Sequence, residues 1–98
     1  MAPVTDEQIE RVRALITAIP VGRVATYGDI AAAAGLSNPR TVGWILRTDG
    51  SDLPWHRVIR ASGRPVAHLH TEQLERLRAE GVLAVDGRVD LRAVRHKF

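Results

Sequence analysis

Apolar positions mark three helices in the first half of the chain. Ile9, Val12, Leu15, Ile16 and Ile19 recur at helical spacing and form one stripe. Thr5-Asp6-Glu7-Gln8, just before them, has the spacing of a capping box, with acidic residues in the first turn. Pro20 predicts the end of this helix and Gly22 a tight turn. Thr26 is the expected N-cap of a second helix, with Asp29 three residues on. That helix is expected over Ile30 to Ala34, with Gly35 as its left-handed stop and Leu36 as an apolar plug. Asn38 then suits an N-cap, and Pro39 a first helical position. The third helix runs to about Arg47, burying Val42, Ile45 and Leu46 and leaving Arg40, Gly43, Trp44 and Arg47 on other faces.

The second half is more broken. A polar loop, Thr48 to Asp52, leads into Leu53-Pro54-Trp55-His56-Arg57-Val58-Ile59. Pro54 keeps Leu53 extended and presents Trp55, and Val58-Ile59 fits a short buried strand or a turn. Arg60 to Pro65 fits a turn, and Val66 to His70 carries no clear pattern. Thr71 is the expected cap of a fourth helix that buries Leu74 and Leu77 and stops at Gly81. Asp86-Gly87 between Leu83-Ala84-Val85 and Arg88-Val89-Asp90-Leu91 predicts a hairpin with a type I′ turn. The basic tail, Arg92 to Phe98, is expected to fray. This order predicts one domain over residues 1–98, mainly α with a small β-hairpin. It is a winged-helix-like helix-turn-helix whose recognition helix is Pro39 to Arg47.

Composition sharpens the picture. The 98-residue chain has a net charge of +3 and an isoelectric point near 10.5, which favours a polyanionic partner. Arg40, Arg47, Arg57, Arg60 and Arg64, then Arg88, Arg92, Arg95 and Lys97, gather where a DNA-binding face would need them. Acidic residues gather in the first and fourth helices. The absence of cysteine excludes disulfides, thiolate metal sites and a cysteine nucleophile. His56, His68, His70 and His96 lack acidic partners at ligand spacing, so no metal or other cofactor is expected. No apolar run approaches 18 residues and Met1-Ala2-Pro3-Val4 shows no signal-peptide pattern. A soluble, monomeric, cytoplasmic and nucleoid-associated protein without membrane contact is expected.

Trp55, His56 and Arg57 set a π-surface, a hydrogen-bonding imidazole and a guanidinium fork side by side. Residue chemistry alone leaves two alternatives open, a core Trp beside a satisfied His, or a binding site. The wider pattern is more specific. Ile19-Pro20-Val21-Gly22-Arg23-Val24-Ala25-Thr26-Tyr27-Gly28-Asp29-Ile30-Ala31, Pro39-Arg40-Thr41-Val42-Gly43, Pro54-Trp55-His56-Arg57-Val58-Ile59 and Ala79-Glu80-Gly81-Val82 occur in one order across nearly the whole chain. Together they resemble the DNA-binding domain of O6-alkylguanine-DNA alkyltransferases. Those enzymes carry Pro-Cys-His-Arg, whose Cys accepts the alkyl group. Trp55 stands in that place, so the chain resembles the alkyltransferase-like branch, which binds alkylated guanine without repairing it.

The resemblance implies roles. Tyr27 would crowd the phosphate of the target nucleotide and help rotate it out. Arg40 would fill the vacated stack from the minor groove, and Gly43 would let the helix bearing Thr41 and Arg47 approach closely. Trp55 would floor the lesion pocket. His56 and Glu80, which activate the cysteine in the enzymes, would here be a structural pair, and Arg57 a buried structural arginine. Two departures stand out. His68 holds the place where alkyltransferase-like proteins commonly carry an arginine against the lesion base, so either His68 or Arg64 would fill that role. The link Thr48 to Asp52 lacks the asparagine of the enzymes. The implied function is non-enzymatic sensing of O6-alkylguanine in double-stranded DNA, flagged to the damage-recognition proteins of nucleotide excision repair. A winged-helix regulator indifferent to alkylation is the alternative. A hydrolase or transferase built on His56 and Glu80 lacks a neighbouring nucleophile, since Ser51, Ser62 and Thr71 fall in caps or turns.

Overall fold

Thr5 starts the first helix as its sequence dictates. In the computed structural model, which describes residues 4–98, α1 spans Asp6–Thr17. Met1-Ala2-Pro3, part of the stretch without a signal-peptide pattern, lies outside the described residues. The Gln8 N–H donates to Thr5 Oγ1 at 3.1 Å and the Thr5 N–H to Gln8 Oε1 at 3.0 Å, which satisfies two otherwise orphaned donors. α1 ends at Ala18, ahead of Pro20, because the proline already restricts Ile19.

α2 spans Tyr27–Ala34 and α3 spans Arg40–Asp49. α2 begins three residues before the expected Ile30. Thr26 Oγ1 accepts from the Asp29 N–H at 3.0 Å and Asp29 Oδ2 from the Thr26 N–H at 3.1 Å. That reciprocal box makes Tyr27-Gly28-Asp29 the first turn, so Tyr27 is held by a helix rather than a linker. Gly35 closes α2 at a φ of 74°, a conformation that costs glycine little. α3 begins at Arg40, with Pro39 in the N-cap place rather than at the expected first helical position; Asn38 Oδ1 accepts from the Arg40 N–H at 3.0 Å, and the helix runs two residues past Arg47.

Val58-Ile59 is the strand rather than the turn of the two expected alternatives, and its partner is Ala25-Thr26, where no strand is expected. β1, Ala25–Thr26, pairs in parallel with β2, Val58–Ile59, with Ala25 opposite Val58 and Thr26 opposite Ile59. Successive strand residues point to opposite faces. Ala25 and Val58 therefore enter a core with Val12, Ile16, Ile30, Val42 and Ile45, while Val24 and Ile59 enter a second core with Leu77, Val82 and Val89. The strand pair divides the two cores, and it sets Tyr27 beside the Trp55 segment.

α4 spans His70–Ala79, which corrects the expected Thr71 cap. A 3₁₀ turn, Ala67–Leu69, runs straight into the helix, and Thr71 lies inside the first turn without a capping bond. Leu77 is fully buried and Leu74 only partly. β3, Ala84–Val85, and β4, Arg88–Val89, form the expected antiparallel hairpin. Asp86 and Gly87 take φ values of 53° and 72°, as a type I′ turn requires. The tail does not fray. Asp90 caps α5, Leu91–Val94. The Val24 N–H donates to Val94 O at 2.9 Å, and the His96 N–H donates back to Val24 O at 2.7 Å. Among the described residues no helix is long and apolar enough to cross a membrane.

Candidate nucleic-acid interface

A cleft of about 180 Å³ opens where α2, α3, the Trp55 turn and the segment before α4 meet. Tyr27, Gly43, Arg47, Trp55 and His68 line it, with Leu46, Val66 and Leu69 supplying further apolar wall. Five residues singled out from the sequence thus converge, although they are spread over more than forty positions of chain. No carboxylate lines the cleft. Burial pushes the Tyr27 phenol above its ordinary pKa, with Arg60 pulling the other way. Tyr27 therefore stays a neutral hydrogen-bond donor. A phenol, a guanidinium, an imidazole and an indole together suit an aromatic ligand rich in acceptors.

Trp55 is placed by the backbone around it. Its N–H donates to Leu53 O at 2.7 Å, and Trp55–Arg57 form a 3₁₀ turn after Pro54. His56 meets the indole edge-on, at 6.2 Å between ring centroids. The Arg76 guanidinium from α4 lies 5.4 Å from the ring centroid.

Beneath this turn the expected pair is a cluster of three. His56 Nε2 lies 2.7 Å from Glu80 Oε2. Arg57 grips the same carboxylate, through Nε to Oε1 at 2.9 Å and Nη2 to Oε2 at 2.8 Å. Arg57 Nη1 also donates to Ile19 O at 2.9 Å. Arg57 is therefore spent inside the fold, as the resemblance implies. The Arg57 hydrogen bonds, and then His56 and the Gly22 N–H, hold the Glu80 carboxyl at a pKa of about 2 despite its partial burial.

The sequence reading missed Gln73. Its side chain is fully buried on α4. Oε1 accepts from the Val66 N–H at 2.8 Å, and Nε2 donates to Val58 O at 2.7 Å and His56 O at 3.1 Å. One amide thereby ties α4 to both sides of the cleft. A lone Gln among charged residues gives no signal of this in the sequence. The link without the family's asparagine is held from α1, where Arg13 Nη2 donates to Asp52 Oδ2 at 2.6 Å.

Other candidates lie apart. Arg40 and Thr41 open α3 at one end and do not line the cleft. Arg64 does not reach it either. Its Nη1 donates to Asp86 O at 3.4 Å, on the hairpin turn, so of the two candidates for the lesion base only His68 lines the cleft. Arg95 bonds Asp29 at 2.7 and 2.9 Å. It lowers the Asp29 pKa and is not a free cation for phosphate.

The fold and cleft define a helix-turn-helix domain with a hairpin wing, built around a small aromatic pocket. Residues 7–82 match the family model described as 6-O-methylguanine DNA methyltransferase, DNA binding domain, and the chain belongs to that family. It is 40% identical over 97 residues to the DNA base-flipping protein of Escherichia coli, covering 91% of this chain and 74% of that protein. It is 37% identical over 84 residues to Alkyltransferase-like protein 1 of Schizosaccharomyces pombe, covering 79% and 78%. Among solved structures, S. pombe Atl1 in complex with damaged DNA containing O6-carboxymethylguanine superposes with a TM-score of 0.84. The sequence identity is 30%, and the match covers 98% of this chain and 100% of that one.

Proposed function

We propose that this protein is a non-enzymatic sensor of O6-alkylguanine. It binds duplex DNA from the minor groove through α3 and holds the rotated, alkylated base in the cleft between Tyr27 and Trp55. It leaves the lesion unchanged for nucleotide excision repair. The observation that carries this reading is Trp55 itself. It stands where the related enzymes have their cysteine, it lines the cleft, and the chain has no cysteine elsewhere. The His56–Glu80 contact persists, but with no thiol to deprotonate it braces the floor of the cleft.

The energetics are coherent. Flipping a base costs a few kcal/mol, less for a damaged base that pairs poorly. Aromatic contact with the extruded base returns about 1–3 kcal/mol. Apolar wall from Leu46, Val66 and Leu69 favours the alkyl group, at about 0.8 kcal/mol per buried methylene. Arg40, at the exposed start of α3, is the residue to fill the gap left in the stack.

Two experiments test this. After long incubation with a lesion duplex, mass spectrometry should find no alkyl group on the protein and no restored guanine. Detected transfer would end the reading. Deleting the gene should sensitise cells to alkylating agents when excision repair is intact and add little when it is absent. An equal effect in both backgrounds would refute the hand-over to excision repair.

A further inference from the structure

The outward face of α3 carries an aromatic residue that the cleft does not use. Trp44 is 44% exposed, whereas Val42 and Ile45 on the same helix are fully buried. It lies inside α3, where its carbonyl accepts from Thr48 Oγ1 at 2.8 Å. Helical spacing places Arg40, Trp44 and Arg47 on one side, as neighbours at i, i+4 and i+7. The acidic residue of α3, Asp49, is at its far end and turned to Arg13. This face therefore sets an indole beside the Arg40 guanidinium, with Arg47 at its border with the cleft, which suits a polyanion whose surface also offers apolar area.

We propose that Trp44 is a DNA-contacting residue whose indole packs against the deoxyribose wall of the groove that α3 enters, beside Arg40. The inference rests on the DNA-binding part of the reading above and not on lesion recognition. Sugar C–H groups line the minor groove, and its floor presents base acceptors that an indole N–H can reach. Proteins that bind the minor groove frequently bring apolar side chains into it, as wedges between base steps; an indole lying along the groove wall buries apolar area without unstacking the bases. Since Trp44 lies on the groove side and not in the cleft, the contact acts on any duplex. It adds affinity without adding discrimination.

Trp55→Phe leaves Trp44 as the sole tryptophan. Acrylamide quenching of that variant is compared free and saturated with undamaged duplex, with binding followed by the anisotropy of labelled DNA. Quenching should fall severalfold in the complex. In the wild-type background, Trp44→Ala should weaken undamaged and O6-methylguanine duplexes alike, by about fivefold or more, and keep their ratio. An equally quenchable Trp44 in the complex, or unchanged affinity of Trp44→Ala for undamaged duplex, would overturn the proposal. So would protection that grows with protein concentration without DNA, which would put a second copy of the chain on this face. Absence of any duplex binding would overturn both this contact and the function above. Lost lesion preference with Trp44 still protected would sink lesion sensing and leave the contact standing.

Discussion

The Arg76 guanidinium lies 5.4 Å from the centroid of the Trp55 ring, and Glu72 Oε1, one turn earlier on α4, accepts from Arg76 Nη2 at 3.1 Å. The indole that lines the cleft is thus backed by a cation that is itself tethered. Such contacts at exposed sites contribute about 0.5–1 kcal/mol. Arg76→Ala should free the indole and reduce the preference for a lesion duplex about two- to fivefold, with affinity for undamaged duplex unchanged. Arg76→Lys should recover part of the loss. Competition binding with the two duplexes checks this, and an unchanged preference in Arg76→Ala would remove Arg76 from the account.

Gly43 has no duty inside the fold. A Cβ built there would meet only Tyr27 Cε1, at 3.9 Å, an ordinary contact. Alanine is favoured over glycine within a helix by up to about 1 kcal/mol. Gly43→Ala should therefore leave thermal stability unchanged or slightly raised, while weakening duplex binding at least severalfold. Thermal melting and DNA titration of the same preparation separate the two effects. A variant that binds normally would show that α3 does not approach DNA at this point.

Glu80 makes stability depend on acid. Its carboxyl sits at about 2 in the folded protein, against an ordinary value of 4.5. A depressed carboxyl pKa stabilises the fold fully above the ordinary value and loses that contribution as pH falls toward the folded one. Stability should thus decline from about pH 5 toward pH 2, as measured by urea unfolding at a series of pH values. Glu80→Gln should flatten this decline. At pH 7 it should also destabilise the fold, because the partly buried Arg57 exchanges a carboxylate for a neutral amide. A Glu80→Gln profile parallel to that of the parent would contradict the linkage.

How much was legible in the sequence depended on how local each signal was. Thr5 and Gln8, Thr26 and Asp29, and Asp86 and Gly87 specify their turns within four residues, and the structure follows them. The Thr71 cap failed because a 3₁₀ turn leads directly into α4 and makes a side-chain cap unnecessary. The tail was misjudged because what holds it is distant. Val24 and Asp29 bind residues 94 to 96 across about seventy positions of chain. In the site, Tyr27, Gly43, Trp55 and His68 were legible because the family motifs and their spacing name them. Arg76 and Gln73 were not, since both look like surface residues of a charged helix.

Gln73 offers a test of that hidden support. Gln73→Leu keeps the bulk but leaves the Val66 N–H and the carbonyls of His56 and Val58 without their partner. Each buried unsatisfied group costs about 1–3 kcal/mol. The variant should lose about 2–4 kcal/mol in chemical denaturation. Any folded fraction should bind lesion duplexes less selectively, because both sides of the cleft are released. A loss under about 0.5 kcal/mol would place it with ordinary surface substitutions.

The central claim is that the cleft recognises an alkylated guanine without reacting with it. The most direct measurement is a titration of two labelled duplexes that differ by one O6-methyl group on a single guanine, each recovered afterwards for analysis of its bases. The account predicts tighter binding of the methylated duplex, at least severalfold, with the methyl group still in place at the end. Equal affinity for the two duplexes, or recovery of unmodified guanine, would contradict it.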